Sequence, residues 1–363
     1  MEKQNQFFPQ SIPHPGSTLV EKLEEMGMGP KEFALRTEKP EKTITAILKG
    51  ESSITADMAV QFENVTKIPA HFWMNYQRSY DEYMARVKRM QIIEKAVVWA
   101  KNFPLLEMIK FGWLEKLATK EEMAAQLLAF FGVASPTAWE DYYCNQQLKV
   151  AFRISLFHTK QPFAISAWLR KGELSAQQIH TIPYSEKLFK DSLLEIKTLM
   201  AQQPADFFHQ LQSICLKSGV KVLYTPFLPK APISGATRWI NDTPIIQLTG
   251  RGKQNDKFWF SFFHEVGHIL LHGKKEIFLE QIEYTDTDLE KEKEADEFAV
   301  KWTFSHAEEA ELKRNIPITE HSVYEHARKI NTHPALIIGR LQHNKDIPYT
   351  LGRNFLITID LAN

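Results

Sequence analysis

Cysteine is almost absent: Cys144 and Cys215 stand 71 positions apart in a chain of 363 residues. Two thiols so spaced make neither a disulfide framework nor a thiolate metal site, which points to a reducing cytoplasm. An excess of either charge is missing too, because 44 Lys+Arg meet 44 Asp+Glu. A dedicated nucleic-acid binder usually carries a basic surplus, so any such function here has to be local. No window holds 18 uninterrupted apolar residues, and Met1 to Gln10 lacks the basic start and apolar stretch of a signal peptide. Export and membrane insertion are therefore disfavoured. Low-complexity tracts are lacking, while 44% hydrophobic residues with 8 Trp, 10 Tyr and 24 Phe supply packed cores. Global disorder is excluded, and the length leads us to expect two or three domains.

From Ser17 to about Met90 the sequence reads as five short helices separated by punctuation. Ser17 is the expected cap of the first, with Leu19, Val20, Leu23 and Met26 at helical spacing and Gly27 as its stop. Gly29 and Pro30 open a second. Pro40 stands at the tolerated first position of a third, expected to run to Lys49, whose apolar stripe is Ile44, Ile47 and Leu48 and whose stop is Gly50. Thr55 caps a fourth, and Pro69 starts a fifth carrying Phe72, Trp73 and Tyr76. Helices two and three, divided at Glu38 and Lys39, have the proportions of a helix-turn-helix, whose second helix lies in the major groove. Its outward residues would be Glu41, Lys42, Thr45 and Lys49, with Lys42, Thr45 and Lys49 as the candidate DNA contacts. The plainer reading is a solvated helix face, and 12 basic against 12 acidic residues over positions 1 to 90 give no electrostatic bias towards DNA.

The runs HPGSTLVEKLEEMGM and FALRTEKPEKTITAILKGESSITADMAVQFENVTKIPAHFWMNYQRSYDEYMA resemble the Xre-class helix-turn-helix, in its HigA-type antitoxin subgroup, over roughly residues 14 to 86. The resemblance implies a DNA-binding homodimer acting on double-stranded operator DNA. Pro40 and Glu41 at the start of the reading helix depart from that pattern.

Residues 91 to about 195 carry apolar and aromatic residues at mixed helical spacings, as in Trp99, Phe103, Leu106 and Ile109, so a mostly helical spacer or sensor is expected. The stretch SLFHTK around His158 and the segment SAWLRKGEL could line a pocket, although a lone histidine beside aromatics is more often a core or surface residue. Beyond Pro204 a helix at Phe207 to Lys217 leads to three strand-like runs, VKVLYTPF, GATRWI and TPIIQLT, with Asn241 and Asp242 turning between the last two. An aromatic helix from about Asp256 to His272 follows, ended by Gly273.

That helix contains His264, Glu265, Val266, Gly267 and His268, an HExxH motif. Imidazoles at i and i+4 share one helix face and can bind one Zn²⁺, while Glu265 projects around the cylinder to where the attacking water would sit. The plainer reading is a hydrogen-bonded histidine pair in an aromatic core. A hydrolytic zinc site needs a third protein ligand. Downstream, LEKEKEADEFAVKW is helical, and periodicity barely separates Glu292 from Glu294. In the gluzincin arrangement a ligand Glu is followed four residues later by an Asp that orients one ligand imidazole. This favours Glu292 as third ligand and Asp296 as orienter, with Glu294 the fallback. His272, at i+8 from the first histidine, cannot easily join a tetrahedral site on a straight helix and reads as a helix-end residue.

The stretch RWINDTPIIQLTGRGKQNDKFWFSFFHEVGHILLHG, with EKEADEFAVKW and HPALIIGRLQH, resembles the ImmA/IrrE zinc metallo-endopeptidases over roughly 210 to 345. That resemblance places the metal ligands on His264, His268 and a glutamate of EKEAD, the general base on Glu265, and a protein substrate in the cleft, a repressor or a toxin-antitoxin component. KWTFSHAEEA stands where many relatives have an apolar-proline stop. Read so, TPIIQLT could lend an edge to an extended substrate, and His321, Tyr324, His326, His333 and Arg340 are candidate oxyanion donors. The expectation is an α+β multidomain chain. It has an N-terminal all-α helix-turn-helix bundle (1–90), a helical middle segment (91–200) and a C-terminal zincin-like, gluzincin-type α+β domain (201–363). The alternative is a HigA-like antitoxin or repressor whose C-terminal domain is a non-catalytic binding or metal-stabilised module.

Overall fold

The computed structural model describes residues 11–146, 161–229, 231, 233–249, 254–273, 278–279, 286–314, 317–359 and 361. His158 lies outside them. The chain is a multidomain α+β protein with two compact units, Met1–Lys95 and Ala96–Asn363. No described helix is long and apolar enough to cross a membrane.

The amino-terminal unit follows its punctuation closely. Helix α1 (Pro15–Glu25) begins two residues before Ser17, because Pro15 presets the first helical φ and His14 Nδ1 accepts from the Gly16 N–H at 2.9 Å. Ser17 is thus not the cap; its hydroxyl donates back to the His14 carbonyl. Helices α2 (Pro30–Arg36) and α3 (Glu41–Leu48) are joined through Glu38, at φ 51°. Gly50 (φ 76°) ends α3 in the left-handed region. Helix α4 (Ala56–Thr66) is capped by Thr55. Leu19, Phe33, Ile44, Ile47, Phe62 and Trp73 form the core. Gly16 lies so close to α3 that a Cβ would come within 1.9 Å of the Ile47 carbonyl oxygen. Helix α5 (Ala70–Ala100) is not short: it runs 31 residues, with no glycine or proline until Pro104, and the unit boundary falls inside it.

In the carboxy-terminal unit the first helices are α6 (Leu105–Lys110), α7 (Lys120–Phe131) and α8 (Pro136–Trp139), the last continuing as a π-helical segment to Gln146. They are followed by α9 (Pro162–Gln177), α10 (Glu186–Gln202) and α11 (Phe207–Leu216). A four-stranded sheet comes next, made of β1 (Lys221–Tyr224), β2 (Gly235–Ile240), β3 (Thr243–Leu248) and β4 (Phe278–Leu279) in the order β1-β3-β2-β4. Asn241 and Asp242, both at positive φ, close the β2–β3 hairpin as the paired left-handed residues of a two-residue turn. Parallel β1 then pairs with the other side of β3, aligning Val222 with Ile246. Both edges of β3 are therefore occupied, and TPIIQLT offers no edge to a substrate; the outer strands are β1 and β4.

Strand β3 is buried on both faces. Ile246 and Leu248 join a core with Phe258, Trp259, Phe262, Phe263 and Val266 of α12 (Asn255–Leu271). On the other face Gln247 and Arg238 donate to the Trp168 and Leu169 carbonyls of α9 at 2.8 and 2.6 Å. The sheet is thus a middle layer, with the aromatic helix packed on one side and α9 pinned to the other. Helix α13 (Asp286–Thr303) crosses α12, and α14 (His306–Arg314), α15 (Glu320–Ile330) and α16 (Pro334–His343) follow around Phe304, Leu312, Val323 and Ile337. Phe262→Ala should empty a fully buried position in the core under α12. We expect it to cost about 3–5 kcal/mol, read as an earlier denaturant midpoint for this unit.

Candidate metal centre

The centre begins with the way α12 and α13 meet. Gly267 faces Ala295, and a Cβ at 267 would come 3.1 Å from the Ala295 Cα and 3.2 Å from the Phe298 Cβ. A side chain at 267 would need Ala295 or Phe298 to give by a few tenths of an ångström, so glycine suits this close approach. Nearby, Phe263 stacks on Trp302 with ring centroids 6.1 Å apart and planes 1° from parallel. Three residues before Gly267 stands His264, one after it His268, and three before Ala295 stands Glu292. The crossing therefore places one carboxylate over the i, i+4 imidazole pair.

His264 Nε2 and His268 Nε2 are 2.9 Å apart. Glu292 Oε2 lies 3.2 Å from the first and Oε1 3.4 Å from the second. Ligand atoms of these three residues all fall within 4.8 Å of one another. Glu294 is turned elsewhere, its Oε2 2.9 Å from His272 Nε2. Asp296 Oδ1 lies 2.9 Å from His264 Nδ1, and His272 Nδ1 lies 3.0 Å from His268 Nδ1. Each imidazole is thus held by its Nδ1 and directs its Nε2 inward.

The electrostatics suit a cation. Burial pushes the His268 imidazole down to about 4, so at neutral pH it is uncharged, the form that offers a lone pair. Burial opposes ionisation of Glu292, but hydrogen bonds from His264 and His268 outweigh it and hold the carboxyl at about 2. Two imidazoles and one carboxylate around a common point make a donor set that could hold a metal ion.

Glu265 is fully buried and does not join this set. Its backbone carbonyl accepts from Thr237 Oγ1 on β2 at 3.0 Å, and its carboxyl lies against Gly235, where a Cβ would come 2.5 Å from Oε1. Strand β2 therefore fixes the glutamate's backbone and leaves room for its side chain. Gly235, Thr237 and Gly267 were not singled out from the sequence, because their roles depend on what another element brings against them. Of the proposed oxyanion donors, His333 Nδ1 accepts from the Ala335 N–H at 3.1 Å and caps α16. His326 Nε2 lies 3.1 Å from the Glu308 carbonyl, and Arg340 is paired with Glu309 at 2.5 Å. His321 and Tyr324 are exposed on α15.

Residues 215–325, which span this whole arrangement, match the peptidase family described as the IrrE N-terminal-like domain. The chain carries an IrrE N-terminal-like peptidase domain. All of His264, Glu265, His268, Glu292 and Asp296 fall inside it. The amino-terminal part is similar to other proteins. YddM, an uncharacterized HTH-type transcriptional regulator of Escherichia coli, is 29% identical over 68 residues, which are 19% of this chain and 72% of that protein. An addiction module antidote protein of the HigA family from Coxiella burnetii is 37% identical, covering 24% of this chain and 95% of that one with a TM-score of 0.22. The antitoxin HigA of Pseudomonas aeruginosa, solved with the higBA promoter, is 30% identical, covering 23% and 92% with a TM-score of 0.22.

In the amino-terminal unit Lys42 and Lys49 are exposed and Thr45 is half-buried on α3. Together with Glu41, Ala46 and Glu51 they line one surface groove. The IrrE-like domain yields a prediction about packing alone. Gly267→Val replaces none of the candidate ligands, yet its added bulk against Ala295 and Phe298 should shift α13 and its Glu292 relative to the imidazoles. Zinc affinity, measured by chelator competition, should fall by about tenfold or more.

Proposed function

We propose that the protein is a cytoplasmic regulator whose IrrE-like domain is a zinc-dependent endopeptidase, cutting one specific regulatory protein, and whose amino-terminal unit binds operator DNA as a homodimer. The observation that carries the enzyme reading is the convergence of His264, His268 and Glu292 with a fully buried glutamate, Glu265, beside them and outside the ligand set. A site that only needed a structural metal would gain nothing from a carboxyl there, since burying one is costly.

His264, His268 and Glu292 would hold Zn²⁺ and leave one position open, with Asp296 holding the ring of His264. Bound there, Zn²⁺ supplies Lewis-acid activation of a water molecule and of the scissile carbonyl. Glu265 takes the proton of the attacking water and delivers it to the leaving amine. Aromatic side chains of α12 and α13 exclude bulk water from beneath the ligands, which strengthens every charge interaction above them. The substrate is a repressor or a toxin-antitoxin component, a reading that rests on the family resemblance and on the fusion to a helix-turn-helix-like unit.

The purified protein should contain about one zinc per chain. His268→Ala should lose it, and of the two glutamates Glu292→Ala should lose far more than Glu294→Ala. Glu265→Gln should keep both zinc and fold while slowing cleavage of a co-purified partner by about 10²-fold or more. If wild type and variant bind the same partner with zinc present and neither yields a fragment, the domain is a binding module and the endopeptidase reading is wrong.

On DNA, α3 supplies the reading contacts, supported by its placement after α2 and the exposure of its basic residues. Thr45→Ala should reduce discrimination between specific and random duplex by about 1–3 kcal/mol, while Lys49→Ala should mainly flatten the salt dependence. Binding titrations at several salt concentrations separate the two effects, and equal loss on both duplexes would contradict the assignment.

A further inference from the structure

The two candidate histidine ligands are supported differently. His264 meets a carboxylate directly, through Asp296 at 2.9 Å. His268 meets another imidazole, that of His272 one turn further along α12, with their Nδ1 atoms 3.0 Å apart. His272 Nε2 then reaches Glu294 Oε2 on α13 at 2.9 Å. The side chain of His272 is 3% exposed and that of Glu294 62%, so the line of contacts runs from the buried centre to solvent.

Proton placement along this line follows from the metal end. With Nε2 of His268 given to the ion, its ring proton is on Nδ1 and donates to Nδ1 of His272. That nitrogen must then be the acceptor, which puts the His272 proton on Nε2, where it donates to Glu294. One tautomer of each ring satisfies these three contacts in turn, from the ion through His268 and His272 to Glu294.

We propose that His272 and Glu294 form a positioning pair for His268, fixing its tautomer and ring orientation and raising its basicity toward Zn²⁺. They do at second hand what Asp296 does directly for His264. The inference rests on the zinc reading of the centre. His272 is not a ligand here, and Glu294 is no substitute for Glu292. Each acts through the next ring inward.

The test uses the full chain with zinc alone as probe, competed against a chromophoric chelator, alongside thermal melts of the metal-free proteins. His272→Leu removes the acceptor for His268 Nδ1 and should weaken zinc binding by about 10–100-fold. His272→Asn carries a side-chain oxygen near the place of the lost Nδ1 and should restore most of that affinity. Glu294→Ala should produce a smaller loss in the wild-type background and none beyond that of His272→Leu when the two are combined. Metal-free melting should be alike for Leu and Asn. The pair is overturned if His272→Leu binds zinc as tightly as wild type. It is also overturned if Leu and Asn weaken binding equally while lowering the metal-free melting temperature together, the mark of a packing role. Wild-type protein that takes up no zinc would instead overturn the reading of the centre itself, and the pair with it.

Discussion

The contact on which the carboxy-terminal unit depends is the near approach of two backbones at Gly267 and Ala295. Zinc-site chemistry tolerates errors of a few tenths of an ångström, and here the carboxylate comes from a different helix than the imidazoles. The separation between those helices is set by hydrogen-sized and methyl-sized groups at their crossing, beside which Phe263 stacks on Trp302. Thr237 anchors the same stretch of α12 to the sheet through the carbonyl of Glu265. The spacing of the candidate ligands and the position of Glu265 are thus referred to one short run of backbone.

Much of this was legible in the sequence because it is local. The i, i+4 histidines, the Asn241–Asp242 turn and the glycine stops each depend on residues a few positions apart, and those relations survive any tertiary arrangement. Glu292 against Glu294 was harder, since two residues on one helix differ by a rotation that periodicity resolves poorly. The crossing turns Glu292 to the imidazole pair and Glu294 to His272. What lay out of reach was neighbour identity. Nothing within TPIIQLT reveals that β1 will occupy its second edge, and two-residue β4 is too short to leave a pattern. The long α5 exceeds the short helix expected after Pro69: Tyr76, Tyr80, Tyr83, Val87 and Met90 keep helical spacing, and no breaker interrupts the run before Pro104.

Charge tells a similar story at a coarser scale. The balanced total excludes a broad electrostatic footprint on nucleic acid, yet Lys42 and Lys49 sit exposed on one short helix, where a net figure cannot register them.

The stacking of Phe263 on Trp302 has a further consequence. An indole held parallel to a ring of the opposing helix, and offset from it, senses the separation of α12 and α13 through its surroundings, and greater exposure to water would shift its emission to the red. Beside the candidate ligands the fold therefore carries an intrinsic optical gauge, isolated as the difference in emission between the eight-tryptophan protein and a Trp302→Phe variant, with no label attached.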